Sequence, residues 1–313
     1  MAFRNISYSL DIEMPAFLFL MRYIGVTQGQ AQKIVAKGRL LVNGVRCSSS
    51  GQKICGDIVV QEFIPEPRGL APIFTTPDFG LFDKPSGLLV HPKTHRTPYS
   101  LLDDIRHCYG KSANNIHRID METSGLLLVS RDKASERRLK MMFEERRVKK
   151  SYLAWVRGKL SEPFSVDAPI LRNSDYSEIK LKMVVDPAGK PSLTHFSPLK
   201  YDEELDATLI RATPHTGRQH QIRLHLFHVK HPILGDPIYG VSTEAAISYL
   251  DRVMSSEERM KITGASRLML HAEELDFEYR GARYRIRSNI EFEKEKREIA
   301  LPSARFNPLD SLL

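Results

Sequence analysis

The sequence is poor in cysteine and has no long hydrophobic run. Its three cysteines, Cys47, Cys55 and Cys108, are odd in number and form no C-x-x-C pair, which excludes a disulfide framework and a cysteine zinc site. No apolar run approaches the roughly 20 residues that a helix needs to cross a bilayer. The short apolar segment Pro15–Tyr23 follows no basic region and precedes no small-residue cleavage site, unlike a signal peptide. We therefore expect a cytoplasmic protein without a membrane partner.

Length and composition indicate an ordinary globular protein. A chain of 313 residues can bury a sizeable core and usually divides into two domains. Its 42% hydrophobic and 27% charged residues are typical of such domains. The sequence contains no internal repeat, and we expect a monomer.

Positive charge is concentrated in parts of the chain, whose net charge is +8. His117–Leu160 holds twelve Lys or Arg against six Asp or Glu, and Arg211–His231 holds four Lys or Arg, five histidines and no acid. In contrast, Val241–Ile262 holds three basic and four acidic residues. This clustering favours a surface for a polyanion, although a basic helix face can also be simply solvated.

The segment His117–Asp132, HRIDMETSGLLLVSRD, joins a polar turn to an apolar run. Gly125–Ser130 has the length and content of a buried strand, and Lys133–Val148 behind it has the spacing of an amphipathic helix. Asp120 is a candidate for chemistry because a loop at a strand end holds a carboxylate while leaving it reachable. An aspartate in a turn is also a common cap or turn former. Arg118, two residues away, shares a face with Asp120 if the segment is extended.

The N-terminal part of the chain predicts a small basic module. Residues 1–14 have no clear periodicity and are expected to form a loosely attached lead-in. Gln28–Lys37 predicts a helix that ends at Gly38, and Arg39–Arg46 predicts a hairpin closed by an Asn-Gly turn. Ala16–Phe63 carries six basic and two acidic side chains, a net charge of +4.

A domain boundary is predicted at residues 64–77, where four prolines and a glycine discourage regular structure. After this linker, Gly80–Pro92 predicts a strand, a turn and a second strand, in which Lys84 is either a phosphate contact or a structural turn residue. A partly helical insertion is expected at Ser242–Ile262, and a polar tail at 293–313. The other predicted strands are Lys149–Gly158, Leu193–Tyr201, Ala207–Thr213, Leu275–Tyr279 and Arg283–Ile290.

The stretch PHTGRQHQIRLHL has several groups suited to an anion. Thr216 is expected to cap a helix that runs to His228, and helix N-terminal amides beside Arg218 would suit a phosphate. Three histidines in and just after this stretch, His220, His225 and His228, match no i, i+4 H-E-x-x-H site and have no thiolate or carboxylate nearby, so we expect no metal.

These stretches resemble the motifs of one enzyme family, the RluA-type pseudouridine synthases. The signature H-R-L-D-x-x-T-S-G-L-L-L is matched closely, with Ile119 where Leu is usual and Arg131 where Lys is common. KSYLAWVRG matches the family's K-x-Y-x-A-x-V-x-G motif, and TGRQHQIRLH matches T-G-R-x-H-Q-I/L-R-x-H. The resemblance continues in KPSG, HPILGD and RLMLHA, while Ala16–Phe63 resembles an S4-type RNA-binding module.

The resemblance implies an α+β protein that modifies RNA. A small S4-like RNA-binding domain at 15–63 would precede a catalytic domain at 78–292, built on a mixed, mainly antiparallel β-sheet with flanking helices. The implied reaction converts specific uridines of structured RNA to pseudouridine, with ribosomal RNA favoured over transfer RNA. Nothing is oxidised or hydrolysed in this reaction, so no cofactor or metal is expected.

The resemblance also implies roles for residues of the catalytic domain. Asp120 would be the catalytic carboxylate, acting as a nucleophile at the sugar or the base, or as a proton-abstracting base. Tyr152 would stack on the target uracil, and Ile222 would pack against it. Arg223, in preference to Arg218, would pair with Asp120 and keep it ionised.

Other residues would contact the RNA outside the reacting base. Arg118 would fill the gap that the flipped uridine leaves, because a planar guanidinium stacks well on bases. Arg218 remains a candidate phosphate contact. In the S4-like module, Lys33, Lys37 and Arg39 would bind RNA phosphates, which position the nucleic acid without specifying its sequence.

Two other classes of function are less well supported. One is a non-catalytic S4-containing protein of RNA binding or ribosome assembly, which would have no need to keep Asp120, Tyr152 and Arg223 together. The other is a hydrolase or nuclease that uses Asp120 with a second carboxylate. The sequence contains no paired acidic motif or metal-ligand cluster for that chemistry.

Overall fold

A computed structural model describes residues 3–94, 96–172, 179 and 182–302. The chain divides into two units. Within the described residues, the first unit extends to Gly69 and adds Pro92–His107, and the second takes Leu70–His91 and the chain from Cys108 onward. The division after Gly69 falls inside the segment for which the sequence predicts a linker.

The first unit contains a four-stranded antiparallel sheet with helices. Its elements are β1 (Phe3–Pro15), α1 (Ala16–Phe19), a π-helical turn (Leu20–Ile24), α2 (Gln28–Ala36), β2 (Leu40–Val42), β3 (Val45–Arg46) and β4 (Lys53–Phe63). The strands pair in the order β1-β4-β2-β3. A separate apolar core lies between this sheet and the helices, with Phe19, Leu20, Leu40 and Ile58 fully buried in it.

The predicted helix and hairpin of this unit are confirmed. α2 begins with a capping box in which Thr27 and Gln30 each bond the other's backbone N–H, and Gly38 follows the helix with a φ of 65°. Between β2 and β3, Asn43 and Gly44 have φ values of 50° and 80°. Two positive φ values in succession are what a type I′ hairpin turn requires.

The prediction that residues 1–14 form a loosely attached lead-in is wrong for residues 3–14, which the structure describes. β1 pairs antiparallel with β4 along its length, from Phe3 opposite Phe63 to Pro15 opposite Lys53, with one irregularity after Leu10. The strand is at the edge of its sheet, and only Leu10 and Met14 are buried. Because its backbone bonds hold it in place and few of its side chains enter the core, its sequence carries little hydrophobic periodicity.

The second unit is built on one large mixed sheet. Its strands are β5 (Pro72–Thr75), β6 (Phe79–Lys84), β7 (Asn114–Asn115), β8 (Ser124–Ser130), β9 (Lys149–Arg157), β10 (Phe164–Asp167), β11 (Ile170–Arg172), β12 (Met183–Val185), β13 (Leu193–Asp202), β14 (Ala207–Pro214), β15 (Leu270–Tyr279) and β16 (Ala282–Arg287). The helix α3 (Leu101–Tyr109) belongs to the first unit as far as His107. The other helices are α4 (Lys133–Glu144), α5 (Gln221–His228), α6 (Thr243–Leu250), α7 (Ser256–Thr263) and a 3₁₀ helix (Phe292–Glu298).

Ten strands form the large sheet, in the order β10-β13-β14-β9-β15-β8-β6-β5, with β16 beside β15 and β7 beside β8. Among the described residues, every pairing in it is antiparallel except that of β8 with β15. β11 and β12 form a separate two-stranded sheet. The mixed, mainly antiparallel α+β fold that the sequence predicts is therefore confirmed.

The strand within the segment His117–Asp132 and the helix after it also agree with prediction. All seven residues of β8 are buried, as the apolar run indicates. α4 is capped by Asp132, buries Leu139 and Met142, and places Phe143 in a stack on the His117 ring. Among the helices in the described part of the chain, α4 is the longest, with twelve residues, and none is long and apolar enough to span a membrane.

Three other predictions need correction. Thr216 does not cap a helix, since α5 begins only at Gln221; the Thr216 hydroxyl instead donates to the side-chain oxygen of Gln221 at 2.7 Å. Pro72–Thr75, in the predicted linker, forms β5. The predicted tail from 293 is packed where it is described, because Ile299, just after the 3₁₀ helix, is buried in the same apolar cluster as Phe292; residues 303–313 lie outside the described residues.

Gly125, in the segment His117–Asp132, is expected to be essential for the pairing of β8 with β15. Gly125 has a φ of 103°, and a Cβ there would lie 2.3 Å from the Ala272 carbonyl oxygen. Gly125→Ala should lower the free energy of unfolding by about 3 kcal/mol or more, because both strain and the clash act. Gly281→Ala is the control, since Gly281 has a φ of 76° but open space around it. Chemical denaturation should show a loss of only about 1 kcal/mol for the control; equal losses would contradict the prediction.

Candidate active site

Asp120 lies on the loop between β7 and β8, on the wall of a cavity of about 630 Å³. Its side chain is 29% exposed. The loop is bonded to the turn after β6, where the Gly87 N–H donates to the Met121 carbonyl at 2.9 Å and the Ser86 hydroxyl to the Glu122 carbonyl at 2.6 Å. The carboxylate is therefore reachable while the backbone on its C-terminal side is held.

Lys84 is a structural residue of this arrangement. Its ammonium group is fully buried and donates to the carbonyls of Pro85, Leu88 and Met121, each at 2.9 Å. These bonds use all three donors of an ammonium group. Of the two roles that the sequence left open, the buried position supports the turn residue, because a phosphate cannot reach it.

Arg223 is the guanidinium bonded to Asp120. It projects from α5 with only 4% of its side chain exposed, and its Nη1 donates to Asp120 Oδ2 at 3.0 Å. Its Nε and Nη2 donate to the two carboxylate oxygens of Asp236, at 2.7 and 2.8 Å. Asp236 Oδ1 also accepts the backbone N–H groups of Ile238 and Tyr239. This bidentate clamp fixes the plane of the guanidinium and leaves its Nη1 directed at Asp120.

The charges around Asp120 keep it ionised. Burial by itself raises the pKa of the carboxyl, but nearby positive charge and the Arg223 hydrogen bond more than offset this, so its pKa lies below the ordinary value. Burial lowers the pKa of His220 to about 4, which leaves His220 neutral at pH 7. The cation that acts on Asp120 at neutral pH is therefore mainly Arg223, whose own pKa is raised by its two carboxylate partners despite burial.

His220 is a second neighbour of the carboxylate. Its φ of 56° is in the left-handed region, and its Nε2 lies 3.8 Å from Asp120 Oδ2. Its Nδ1 lies 3.1 Å from the Tyr239 hydroxyl, which accepts the Met183 N–H at 3.0 Å. The hydroxyl can donate its proton to Nδ1 or to the Met183 carbonyl, which lies farther away at 3.5 Å. Donation to the nearer Nδ1 corresponds to the tautomer with its proton on Nε2, toward Asp120.

Tyr152 and Ile222 line the same cavity as Asp120. Tyr152 projects from β9, and its pKa is raised by burial and by the negative charge of Asp120, so the phenol keeps its proton. Ile222 precedes Arg223 on α5 and is 7% exposed. The cavity thus combines an aromatic ring, an aliphatic side chain and an ionised carboxylate, as a site for a planar base requires.

Cationic side chains surround the cavity. Arg118 is exposed, and Arg218 is partly exposed with its Nε bonded to the Pro191 carbonyl at 3.4 Å. Arg146 and Lys150 also line the cavity, beside Arg118 and Arg218. Positive charge at the edge of a cavity attracts a phosphate backbone.

The candidate RNA contacts of the first unit lie on α2 and just after it. Lys33 and Lys37 are exposed and four residues apart, so they share one face of the helix. Arg39 is only partly exposed, because its guanidinium lies over the Phe3 ring at 4.2 Å from the centroid.

Several site residues were not singled out from the sequence. Asp236 and His220 both lie in stretches that match family motifs, but a motif does not reveal which residue each side chain contacts. Glu122, two residues after Asp120, is buried and bonded to Arg259 and Tyr249. No spacing in the sequence connects residues 122 and 259, so only the folded chain reveals that pair.

Several known proteins are similar to this chain in sequence. The RNA pseudouridylate synthase family matches residues 78–228. A Helicobacter pylori (strain ATCC 700392 / 26695) protein described as an uncharacterized RNA pseudouridine synthase is 39% identical over 274 residues, which cover 87% of this chain and 89% of that protein. Ribosomal large subunit pseudouridine synthase D of Escherichia coli (strain K12) is 31% identical over 216 residues, which cover 64% of this chain and 65% of that protein.

A solved structure has the same fold. Human RNA pseudouridylate synthase domain containing 1 superposes with a TM-score of 0.57 at 26% identity, covering 79% of this chain and 95% of that one. The family match, these relatives and the fold thus define an enzyme that acts on RNA. The chain belongs to the RluA-type RNA pseudouridine synthases and converts uridine to pseudouridine.

The buried ion pair of Asp236 with Arg223 is expected to contribute far more to the free energy of unfolding than an exposed ion pair of the same geometry. Asp236→Asn replaces one acceptor oxygen by a donor NH₂ group and should lower the free energy of unfolding by about 3 kcal/mol, because a buried guanidinium loses one of its two carboxylate partners and a donor faces a donor. The control is Asp276→Asn, since Asp276 binds Arg283 with the same bidentate geometry but Arg283 is 70% exposed. Denaturant unfolding should show a loss below about 1 kcal/mol for the control.

Proposed function

We propose that the chain modifies ribosomal RNA, in preference to transfer RNA, and that ionised Asp120 carries the reaction. The observation on which this depends is the bond from Arg223 to Asp120 Oδ2, at 3.0 Å, beside a cavity that Tyr152 also lines. The choice of ribosomal RNA is supported by the relative named for the large ribosomal subunit. We infer that the large subunit is the target.

The chemistry requires one carboxylate that remains charged in a partly dry site. The N-glycosidic bond of uridine breaks, the uracil rotates, and it rejoins the ribose through C5. Asp120 serves this sequence by attacking the sugar or the base or by removing a proton, and each of those roles needs the anion. Arg223 supplies the cation that keeps the carboxyl ionised despite burial.

The target uridine must leave its base stack before it reacts, at a cost of a few kcal/mol. Tyr152 provides the ring on which the uracil stacks, which contributes about 1–3 kcal/mol for each base–aromatic contact. Ile222 packs against the base within the same cavity. Because the Tyr152 phenol keeps its proton, the ring presents no second negative charge to Asp120.

RNA contacts outside the base complete the proposal. Arg118, exposed at the cavity, inserts where the uridine was and stacks on the neighbouring bases. Arg218 binds a phosphate near the target nucleotide. The first unit acts as an S4-like RNA-binding domain, in which Lys33, Lys37 and Arg39 hold phosphates at a distance from the reacting base.

The substrate and the role of Asp120 are tested together by mapping pseudouridine in RNA from a strain that lacks this enzyme. The wild-type chain should add pseudouridine to large-subunit ribosomal RNA, and Asp120→Asn should add none. The variant should still bind the RNA within about threefold of wild type, with the same salt dependence, because no cation is removed. New pseudouridine in transfer RNA alone would refute the proposed substrate, and an active Asp120→Asn would refute the proposed role.

The pH dependence of the reaction tests the function of Arg223. Asp120 is ionised above its lowered pKa, so wild-type activity should fall only at strongly acidic pH. Arg223→Gln removes the cation but not the burial, which raises the pKa, so activity should be lost at a pH about 1–2 units higher as the solution is acidified. The measurement is kcat against pH on the same RNA.

Arg218→Gln is the matched control for that experiment. It removes an arginine from the same cavity that is not bonded to Asp120, so it should weaken RNA binding without moving the acidic limb of the profile. Circular dichroism at each pH separates loss of folding from loss of activity. An unchanged acidic limb in folded Arg223→Gln would contradict the proposed role of the ion pair.

A further inference from the structure

The segment Ser242–Ile262 is bonded to the loop that carries Asp120. Glu122, two residues after Asp120, is 11% exposed at its side chain. One of its carboxylate oxygens accepts Arg259 Nη2 at 2.6 Å, and the other accepts the Tyr249 hydroxyl at 2.6 Å. Tyr249 lies on α6 and Arg259 on α7, so each helix of the segment contributes one donor to the same carboxylate.

Arg259 also holds a second loop, the one that carries Asp236. Its Nη2 donates to the Gly235 carbonyl at 3.2 Å, and the Gly235 N–H donates to the Thr263 carbonyl at the end of α7, at 2.9 Å. Gly235 is therefore bonded to α7 through both of its backbone polar groups. The next residue is Asp236, which orients Arg223.

We propose that Arg259 is a positioning residue for the reaction: by bonding Glu122 and Gly235 at once, it holds the Asp120 loop and the Asp236–Arg223 clamp at their working separation. The inference rests on the proposed role of Asp120. It assigns a function to the Ser242–Ile262 segment, whose sequence shows only that it is partly helical.

The bonds of Arg259 lie close to both carboxylates that contact Arg223. Nη2 of Arg259 bonds both loops. On the first loop the bond is two residues from Asp120, and on the second loop it is one residue from Asp236, which clamps Arg223. Arg259 is 14% exposed, and the helix that carries it begins with a capping box of Ser255 and Glu258, which stabilises the helix. A displacement of about 1 Å of a reacting group can lower the rate about a hundredfold, so such a bridge affects catalysis without touching substrate.

The test compares Arg259→Gln with wild type in single-turnover and steady-state assays on the same RNA. The variant should lower kcat about 10- to 100-fold while KM stays within about threefold, because Arg259 is not among the residues that line the cavity. The loss should persist at the pH at which kcat is maximal, where Asp120 is fully ionised. Arg259→Lys keeps the charge but not the planar fork, and should recover part of kcat.

Lys261→Gln is the control, because Lys261 is an exposed cation on the same helix and its loss should leave kcat unchanged. Glu122→Gln combined with Arg259→Gln should lower kcat by no more than about twofold below Arg259→Gln alone, since the two side chains act as one unit. Activities are scaled to the folded fraction from circular dichroism. Should Arg259→Gln be unfolded at the assay temperature, the comparison is made with Arg259→Lys and at lower temperature.

The outcomes separate this inference from the proposed role of Asp120. If folded Arg259→Gln has a kcat within twofold of wild type, or changes KM alone, Arg259 is not a positioning residue, whatever Asp120 does. Asp120→Asn is measured in the same assay, and full activity in that variant would refute the role of Asp120 independently.

Discussion

A buried guanidinium shared between two carboxylates is the interaction on which the site depends. Arg223 bonds Asp236 through two donors and Asp120 through one, so its single positive charge serves two negative groups. The trio keeps one net negative charge, on the side chain that faces the cavity. Without the cation, burial would raise the pKa of Asp120; without Asp236, the guanidinium would lose the two hydrogen bonds that fix its plane. One arrangement thus supplies both the charge and the geometry of the proposed carboxylate.

The scaffold supports this trio mainly through backbone groups. Lys84 binds the Met121 carbonyl just after Asp120, and α7 binds both polar groups of Gly235 just before Asp236. Gly125 lets β8 approach β15 more closely than any side chain would allow. Each of these contacts lies within five residues of a member of the trio. The chemistry is therefore positioned by loops, but the loops themselves are held by buried polar contacts to the sheet and helices.

Prediction from sequence succeeded where the signal was local. The buried strand β8, the amphipathic helix α4 and the Asn43–Gly44 turn each follow from patterns of a few residues. It failed where long-range contact decided the outcome. β1 is a strand because β4 offers it a partner, and Thr216 bonds Gln221 in a loop although its residue type suits a helix cap.

By itself, the sequence determined individual strands and helices through periodic hydrophobicity. Its motifs, through their resemblance to one family, indicated the class of enzyme, the mainly antiparallel fold and the candidates Asp120, Tyr152 and Arg223. Both signals could be read because motifs and periodicity are local properties of the chain. Only the tertiary structure decided which arginine meets Asp120, that Asp236 clamps it, and that Arg259 reaches Glu122. Those pairs join residues 103, 13 and 137 positions apart. Contacts at such separations depend on how the strands and helices pack, and no local pattern in the chain encodes them.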